Sequence, residues 1–305
     1  MTELIKINNV KYDSELFEAW ETRSPLDTLF STNGGIPKAT NWMIVGDPGV
    51  GKSTVLLDAL ANCKVKSGAR VLFVSGEMNQ VDLYLYVQRY PKFGDIEIFF
   101  PAEIAEGASP KEELEAILMQ GWDIVLYDSF VEIQEIIREE DGMSGKGSEK
   151  WMLDLMGKHN LANNDRKCYT SFLNIQQVTK GGTFVGSNRL KHMTTGMMEI
   201  RFVEEGDDDR YITFAKNRRG NVGKRMYFSL HSEGDVTYDV EKFNQAERLH
   251  DIKLKEKETI KGGKLKFEEL FKLKSNVPTD KEIAEEVKRD DELDGPMVPP
   301  VRTES

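Results

Sequence analysis

Residues Gly46-Asp47-Pro48-Gly49-Val50-Gly51-Lys52-Ser53 follow the pattern G-x-x-x-x-G-K-[ST], the P-loop. That pattern carries weight only where a strand leads into it and a helix leads out. Both are expected here. Trp42-Met43-Ile44-Val45 reads as a strand, and the apolar residues of Thr54–Leu60 suit a helix packed on a sheet. Glycines let the backbone turn tightly, so that its N–H groups face phosphate oxygens. The following helix sets its positive end beneath the same phosphates. On this reading Gly46 to Thr54 cradle the phosphates of ATP. Lys52 reaches the β- and γ-phosphates, and Ser53 holds Mg²⁺.

The rest of the chain is read outward from that loop. Residues 1–40 form a lead-in, with a short helix expected over Ser14–Trp20 and a loop through Ser24–Phe30 and Asn33–Pro37. From residue 41 strands and helices alternate. Strands are expected at Arg70–Ser75, Asp95–Phe100, Asp123–Tyr127 and Cys168–Val178. Helices are expected at Val81–Arg89, Pro110–Gln120 with Ser109 as cap, and Glu149–Asn160. This is the rhythm of a mostly parallel sheet flanked by helices. Beyond it, Met197–Val203, Tyr211–Ala215, Lys224–Leu230 and Val236–Val240 read as an antiparallel extension with short polar turns. The core therefore spans 41–244, and the fold class is α/β.

Residues 245–305 form a charged tail in which 28 of 61 residues are Lys, Arg, Asp or Glu. A capping box at Thr279–Glu282 marks one short helix, and Gly295-Pro296 and Pro299-Pro300 mark a disordered end. A solvated extension is the simpler reading of the tail. A docking arm for replication or recombination proteins is the alternative. The net charge of −11 argues against nucleic acid when taken as a sum, but a ring-forming protein can be acidic outside and basic along one channel. Cys63 and Cys168 have no disulfide or metal spacing, and no run is long enough to cross a bilayer. A reducing cytoplasmic setting, without a membrane, is expected.

Two carboxylates stand at strand ends. Asp128 ends Asp123–Tyr127, where an acid binds Mg²⁺ directly or through water. Glu77 follows Arg70–Ser75, at the sheet edge where ligands bind, and either orients the attacking water or merely complements a helix dipole.

The ordered set resembles the RecA superfamily, and within it RadA (Sms) and the DnaB-type replicative helicases. It runs from the P-loop through Val74-Ser75-Gly76-Glu77, Leu126-Tyr127-Asp128-Ser129 and Ile175-Gln176-Gln177-Val178-Thr179-Lys180 to Lys216-Asn217-Arg218-Arg219-Gly220. Gly34-Gly35-Ile36-Pro37 resembles the entry to the same core, and the likeness covers about residues 24–240. The resemblance implies a RecA-like fold. It makes Glu77 the catalytic glutamate and Asp128 the second nucleotide-motif aspartate. It makes Gln177 a γ-phosphate sensor in preference to Gln176, and Lys216 and Arg218 a pair that reaches the next subunit's nucleotide. It makes residues 179–193, with Lys180, Arg189 and Lys191 and no acid, a DNA loop, and 139–148 the place of a first DNA loop.

The expected partners are single-stranded DNA and further copies of the chain, in a ring (hexameric by resemblance) or a filament. The expected activity is ATP hydrolysis in replication, recombination or repair. A KaiC-like nucleotide-switched module without translocation and a strand-exchange recombinase are the rivals. The sequence shows neither RadA's four-cysteine zinc module and protease-like domain nor DnaB's helical N-terminal domain. Arg219 stands where RadA proteins usually have Phe. Core chemistry therefore carries over better than pathway, and a compact, phage-like or accessory motor is the expectation.

Overall fold

Mostly apolar segments, buried along their whole length, become the inner strands Asn41–Gly46, Val71–Ser75, Ile124–Asp128 and Ser171–Ile175 of one sheet, as parallel strands covered on both faces must. The computed structural model describes residues 4–176, 193–204, 209–231 and 235–248. Its elements in chain order are β1 (Ala19–Trp20), α1 (Leu26–Phe30), β2 (Ile36–Pro37), β3 (Asn41–Gly46), α2 (Lys52–Ser67), β4 (Val71–Ser75), α3 (Gln80–Arg89), β5 (Glu97–Phe99), α4 (Pro110–Met119), β6 (Ile124–Asp128), α5 (Phe130–Glu140), α6 (Gly145–Asn160), β7 (Ser171–Ile175), β8 (Gly196–Phe202), β9 (Arg210–Asn217), β10 (Arg225–Leu230) and β11 (Val236–Asp239). Residues 240–248 are helical.

The main sheet has nine strands in the order β11-β10-β9-β8-β3-β7-β6-β4-β5. Strands β8 to β5 in that order run parallel; β9, β10 and β11 continue it antiparallel. Alternation along the strands fills two cores. Trp42, Ile44, Phe73, Leu126 and Leu173 pack with α2 on one face. Met43, Val45, Leu72, Val125 and Phe172 pack with α4, α5 and α6 on the other. Because β3 is central, the P-loop leaves the middle of the sheet.

Local chemistry sets the helix ends. Asn79 and Asp82 close a capping box on α3, and the Ser109 hydroxyl accepts from Glu112 N–H ahead of Pro110. Gly68 ends α2 in the left-handed conformation.

The structure also departs from expectation. Ser14–Phe17 is a 3₁₀ turn capped by Asp13, and the chain then enters β1, which pairs antiparallel with β2. The expected loop over 24–37 contains α1. α5 is absent from the expectation, although Phe130, Ile133 and Ile137 follow helical spacing and are buried. Residues 139–148 are not a loop: they are the end of α5, a four-residue turn and the start of α6, where Ser144 accepts from Gly147 N–H. The turn expected at 204–209 lies in large part outside the described residues, as do nearly all of residues 245–305 with the Thr279–Glu282 capping box. Among the described residues no helix is long and apolar enough to cross a membrane.

His159 in α6 is buried with neither ring nitrogen hydrogen-bonded to a described residue, and burial, with Lys158 beside it, pushes its pKa down to about 4. The fold therefore holds it neutral while the unfolded chain takes up a proton below about 6.5. Its contribution is intact above about pH 6.5 and is lost as the pH falls towards 4, at up to about 1.4 kcal/mol per pH unit. Urea unfolding of wild type and His159→Leu at pH 7 and pH 5 should show the variant losing less stability on acidification; equal losses would count against this account.

Candidate functional site

Gly51 caps the start of α2; its φ of 97° is left-handed, and its missing side chain leaves the helix start without a side-chain cap. A Cβ there would strike Leu230 of β10, and one at Gly46 would strike the Ile200 carbonyl of β8. The loop glycines are thus demanded by close packing as well as by turning. Backbone N–H groups at an uncapped helix start are the donors that anions use.

Four strand ends converge on this loop. Ser53 donates to the Asp128 carboxylate over 2.5 Å. The N–H groups of Gly76 and Glu77 donate to the Asp128 carbonyl at 2.7 and 3.3 Å, fixing the end of β4 against that of β6. Lys52 donates to the carbonyls of Gly46 and Asp47, each at 3.0 Å. Arg201 of β8 braces the loop through Asp47 at 3.3 Å and is held by Glu199.

A cavity of about 680 Å³ results, lined by Gly46, Pro48, Gly49, Gly51, Lys52, Ser53, Thr54, Glu77 and Asp128. Tyr86 and Arg89 of α3, Tyr90 at its C-terminal cap, Arg210 of β9, Ile175 and Leu230 complete its wall. None of these six is among the residues expected from the sequence. Tyr86, Arg89 and Tyr90 did carry a signal, since i, i+3 and i+4 share one helix face. Arg210 carried none, because only the register of β9 on β8 brings it to the loop's end of the sheet.

Burial sets the electrostatics. It pushes Asp128 up to about 6, with Glu77's charge adding to the rise and the Ser53 hydroxyl and Lys52 opposing it. Burial also lowers the Lys52 ammonium's pKa, against the pull of Asp128, Glu77 and Asp47. A hydroxyl and a carboxylate in contact, with Glu77 on the same wall, are hard oxygen donors. They fit Mg²⁺, which takes one or two protein oxygens and completes its shell with water and substrate phosphate.

The remaining expected residues lie elsewhere. Lys216, near the end of β9, is opposite Met197, and Arg218, just past β9, donates its N–H to the Thr195 carbonyl; Gly196, between them on β8 and opposite Asn217, pairs with Trp42 at the start of β3. The P-loop begins at the other end of β3, about 13 Å further along at strand rise. Lys216 donates to the Thr194 carbonyl at 2.6 Å, and Arg218 is exposed. Gln177, Lys180, Arg189 and Lys191 lie outside the described residues. Gln176 is buried on the face shared with Phe172, opposite Ile175, and neither of its side-chain polar atoms has a hydrogen-bond partner among the described residues. It does not line the cavity.

No protein-family model matches the chain. Among curated proteins it is similar to the DNA repair protein RadA of Streptococcus pneumoniae, 30% identical over 211 residues, covering 67% of this chain and 45% of the relative. RadA of Mycobacterium tuberculosis is 27% identical over 204 residues, 66% of this chain and 40% of the relative. RadA of Chlamydia trachomatis is 27% identical over 234 residues, 75% and 47%. The matched region thus spans less than half the length of these relatives. Among solved structures, a KaiC-like protein of Pyrococcus horikoshii superposes with a TM-score of 0.52 at 18% identity, covering 71% of this chain and 95% of that one. That likeness is one of fold.

Asp128 gives this site a measurable cost. Its folded pKa of about 6 lies above the unfolded value near 3.9, so stability is lost as pH rises between the two. Asp128→Asn should therefore raise unfolding stability at pH 8 by on the order of 2 kcal/mol, with the gain vanishing near pH 4. His159 acts in the opposite sense over much of the same range, so the difference between variant and wild type is the quantity to measure. An Asp128→Asn protein no more stable at pH 8 than wild type would exclude a strained carboxylate.

Proposed function

We propose that this RecA-superfamily P-loop core, which resembles that of RadA, hydrolyses ATP with Mg²⁺ at a site shared between subunits and couples turnover to single-stranded DNA in replication, recombination or repair. The observation that carries the reading is a division of parts. Lys52, Ser53, Glu77 and Asp128 line one cavity, while Lys216 and Arg218 sit at the opposite edge of the same sheet. Phosphoryl transfer needs cations against the γ-phosphate. If such a pair acts on nucleotide at all, its distance from its own cavity favours a neighbour's.

The roles follow from position. Backbone N–H groups of the loop and the start of α2 hold the phosphates, and Lys52 exchanges its two loop carbonyls for β- and γ-phosphate oxygens. Ser53 and Asp128 would hold Mg²⁺, which neutralises developing phosphate charge. Glu77, fixed through the Asp128 carbonyl, orients and deprotonates the attacking water. Tyr86, Arg89 and Arg210 line the rest of the cavity and would face the nucleoside. Residues 179–193, with Lys180, Arg189 and Lys191, track the phosphates of a single strand, and Gln177 reads the γ-phosphate. The assembly is a ring, hexameric by resemblance, or a filament. A KaiC-like switch that assembles without translocating is the second reading, favoured by the fold likeness alone.

Glu77→Gln should bind nucleotide within a few-fold of wild type and lose turnover by about 10²–10⁴-fold, while Lys52→Ala should lose binding. Equilibrium binding of a fluorescent ATP analogue beside steady-state ATPase separates the two; near-normal turnover by Glu77→Gln rules it out as the base. Single-stranded DNA should stimulate the wild-type ATPase. Joint replacement of Arg189 and Lys191 by Ala should remove that stimulation and flatten the salt dependence of DNA affinity by up to about 0.7 for each phosphate no longer neutralised. A wild-type ATPase indifferent to DNA would favour the switch.

A further inference from the structure

We propose that Arg219 is a positioning residue that fastens the Lys216–Gly220 run to the N-terminal lead-in and so sets the pose of Lys216 and Arg218. The inference rests on the reading of that pair as acting on a neighbour's nucleotide.

Side chains alternate through this run. Asn217 and Arg219 turn into the fold. The Asn217 amide donates to the Phe30 carbonyl at 2.9 Å and accepts from Arg219 N–H at 3.1 Å. The Arg219 guanidinium donates to the carbonyls of Lys38 and Leu16. Its own carbonyl accepts from the Thr32 N–H and hydroxyl at 3.1 and 3.3 Å. Gly220 lets the backbone approach so closely that a Cβ would lie 2.8 Å from the Phe30 carbonyl. Between these anchors, Arg218 is exposed, and its guanidinium has no hydrogen bond or ion pair to a described residue.

The lead-in is built to take the load. Lys38 is buried and ion-paired with Glu15 at 2.6 Å and Glu18 at 2.9 Å, and Asn33 donates to the Phe17 carbonyl at 2.6 Å. One planar guanidinium can reach two carbonyls from separate segments; an ammonium is a point donor and a Phe has no donor at all. Arginine at 219 thus ties the run to Leu16 and Lys38 by hydrogen bonds. A free strand end would leave Arg218 to sample many poses, and misplacement of a catalytic group by about 1 Å is enough to cost about a hundredfold in rate.

The test uses the full chain under conditions where assembly is complete by light scattering. Arg219→Ala should lower kcat by about ten- to a hundredfold, with nucleotide affinity and assembly unchanged and part of the rate restored in Arg219→Lys. A merely structural defect would not sort subunits by role, so mixtures decide. Arg219→Ala mixed with Lys52→Ala should regain activity, and so should Arg218→Ala mixed with Lys52→Ala, because some interfaces pair an intact loop with an intact pair of cations. Arg219→Ala mixed with Arg218→Ala should regain none. If Arg219→Ala does not fold by circular dichroism, Arg219→Gln, which keeps one donor group, enters the same mixtures. Wild-type kcat in the Arg219 variants beside an impaired Arg218→Ala overturns the brace, as does recovery in the mixture of Arg219 and Arg218 variants. Wild-type kcat in Arg218→Ala overturns the shared site itself, and the brace with it.

Discussion

Asp128 holds three chain segments at once. Its carboxylate accepts from Ser53 at the start of α2, its carbonyl accepts from Gly76 and Glu77 after β4, and its own strand runs between β4 and β7. The residue is almost fully buried, and its carboxyl is held up at about 6 by that burial. A buried acid in this state is a poor stabiliser of the fold, since burying a charge is costly unless it is fully paired. What it supplies is position. The P-loop hydroxyl and the glutamate after β4 cannot drift apart while both are bonded to the same residue. In the proposed role of Asp128 as a metal ligand such a cost is expected, because functional sites are where perturbed pKa values cluster.

The antiparallel arm follows a different logic. Continuing the sheet from β8 through β9 reverses the chain, so β9 starts near the P-loop and ends at the far edge. Arg210 at its start therefore lines the cavity, and Lys216 at its end does not. One strand thus carries a cation at each end, Arg210 at the cavity and Lys216 away from it. In the assembly of identical subunits proposed above, the remote end would complete a neighbour's site.

Much of this was legible in residues. The P-loop, the apolar strands around it and the acids that end them are local patterns, and their local meaning survived folding. Residues 139–148 were placed as a loop by resemblance alone, whereas they hold the end of α5, a short turn and the start of α6, which Ser144 caps. α5 was missed because its exposed face is acidic and its buried stripe is short. Arg201, Arg210 and Leu230 were unreadable in principle: each reaches the P-loop through strand register far along the chain. Strand parity argues against Gln176 as a phosphate sensor, because it shares a face with Phe172 while Ile175 faces the cavity.

The Lys216–Gly220 run also touches the chain just beyond residues 179–193. Lys216 donates to the Thr194 carbonyl, and Arg218 N–H donates to that of Thr195. Thr195 is in turn bonded through its hydroxyl to Thr40 and Asn41 at the foot of β3. The residue pair proposed to act across the interface thus lies between two anchors, the lead-in on one side and the exit of the proposed DNA segment on the other. If DNA draws on that exit, the load falls on the carbonyls that Lys216 and Arg218 hold, with the lead-in as the fixed support. Coupling of this kind requires reciprocity: a neighbour's nucleotide that orders the pair must tighten DNA binding by the same free energy with which DNA favours the nucleotide. A bond network of a few residues is enough to carry it, because both ligands would bias the same short strand end.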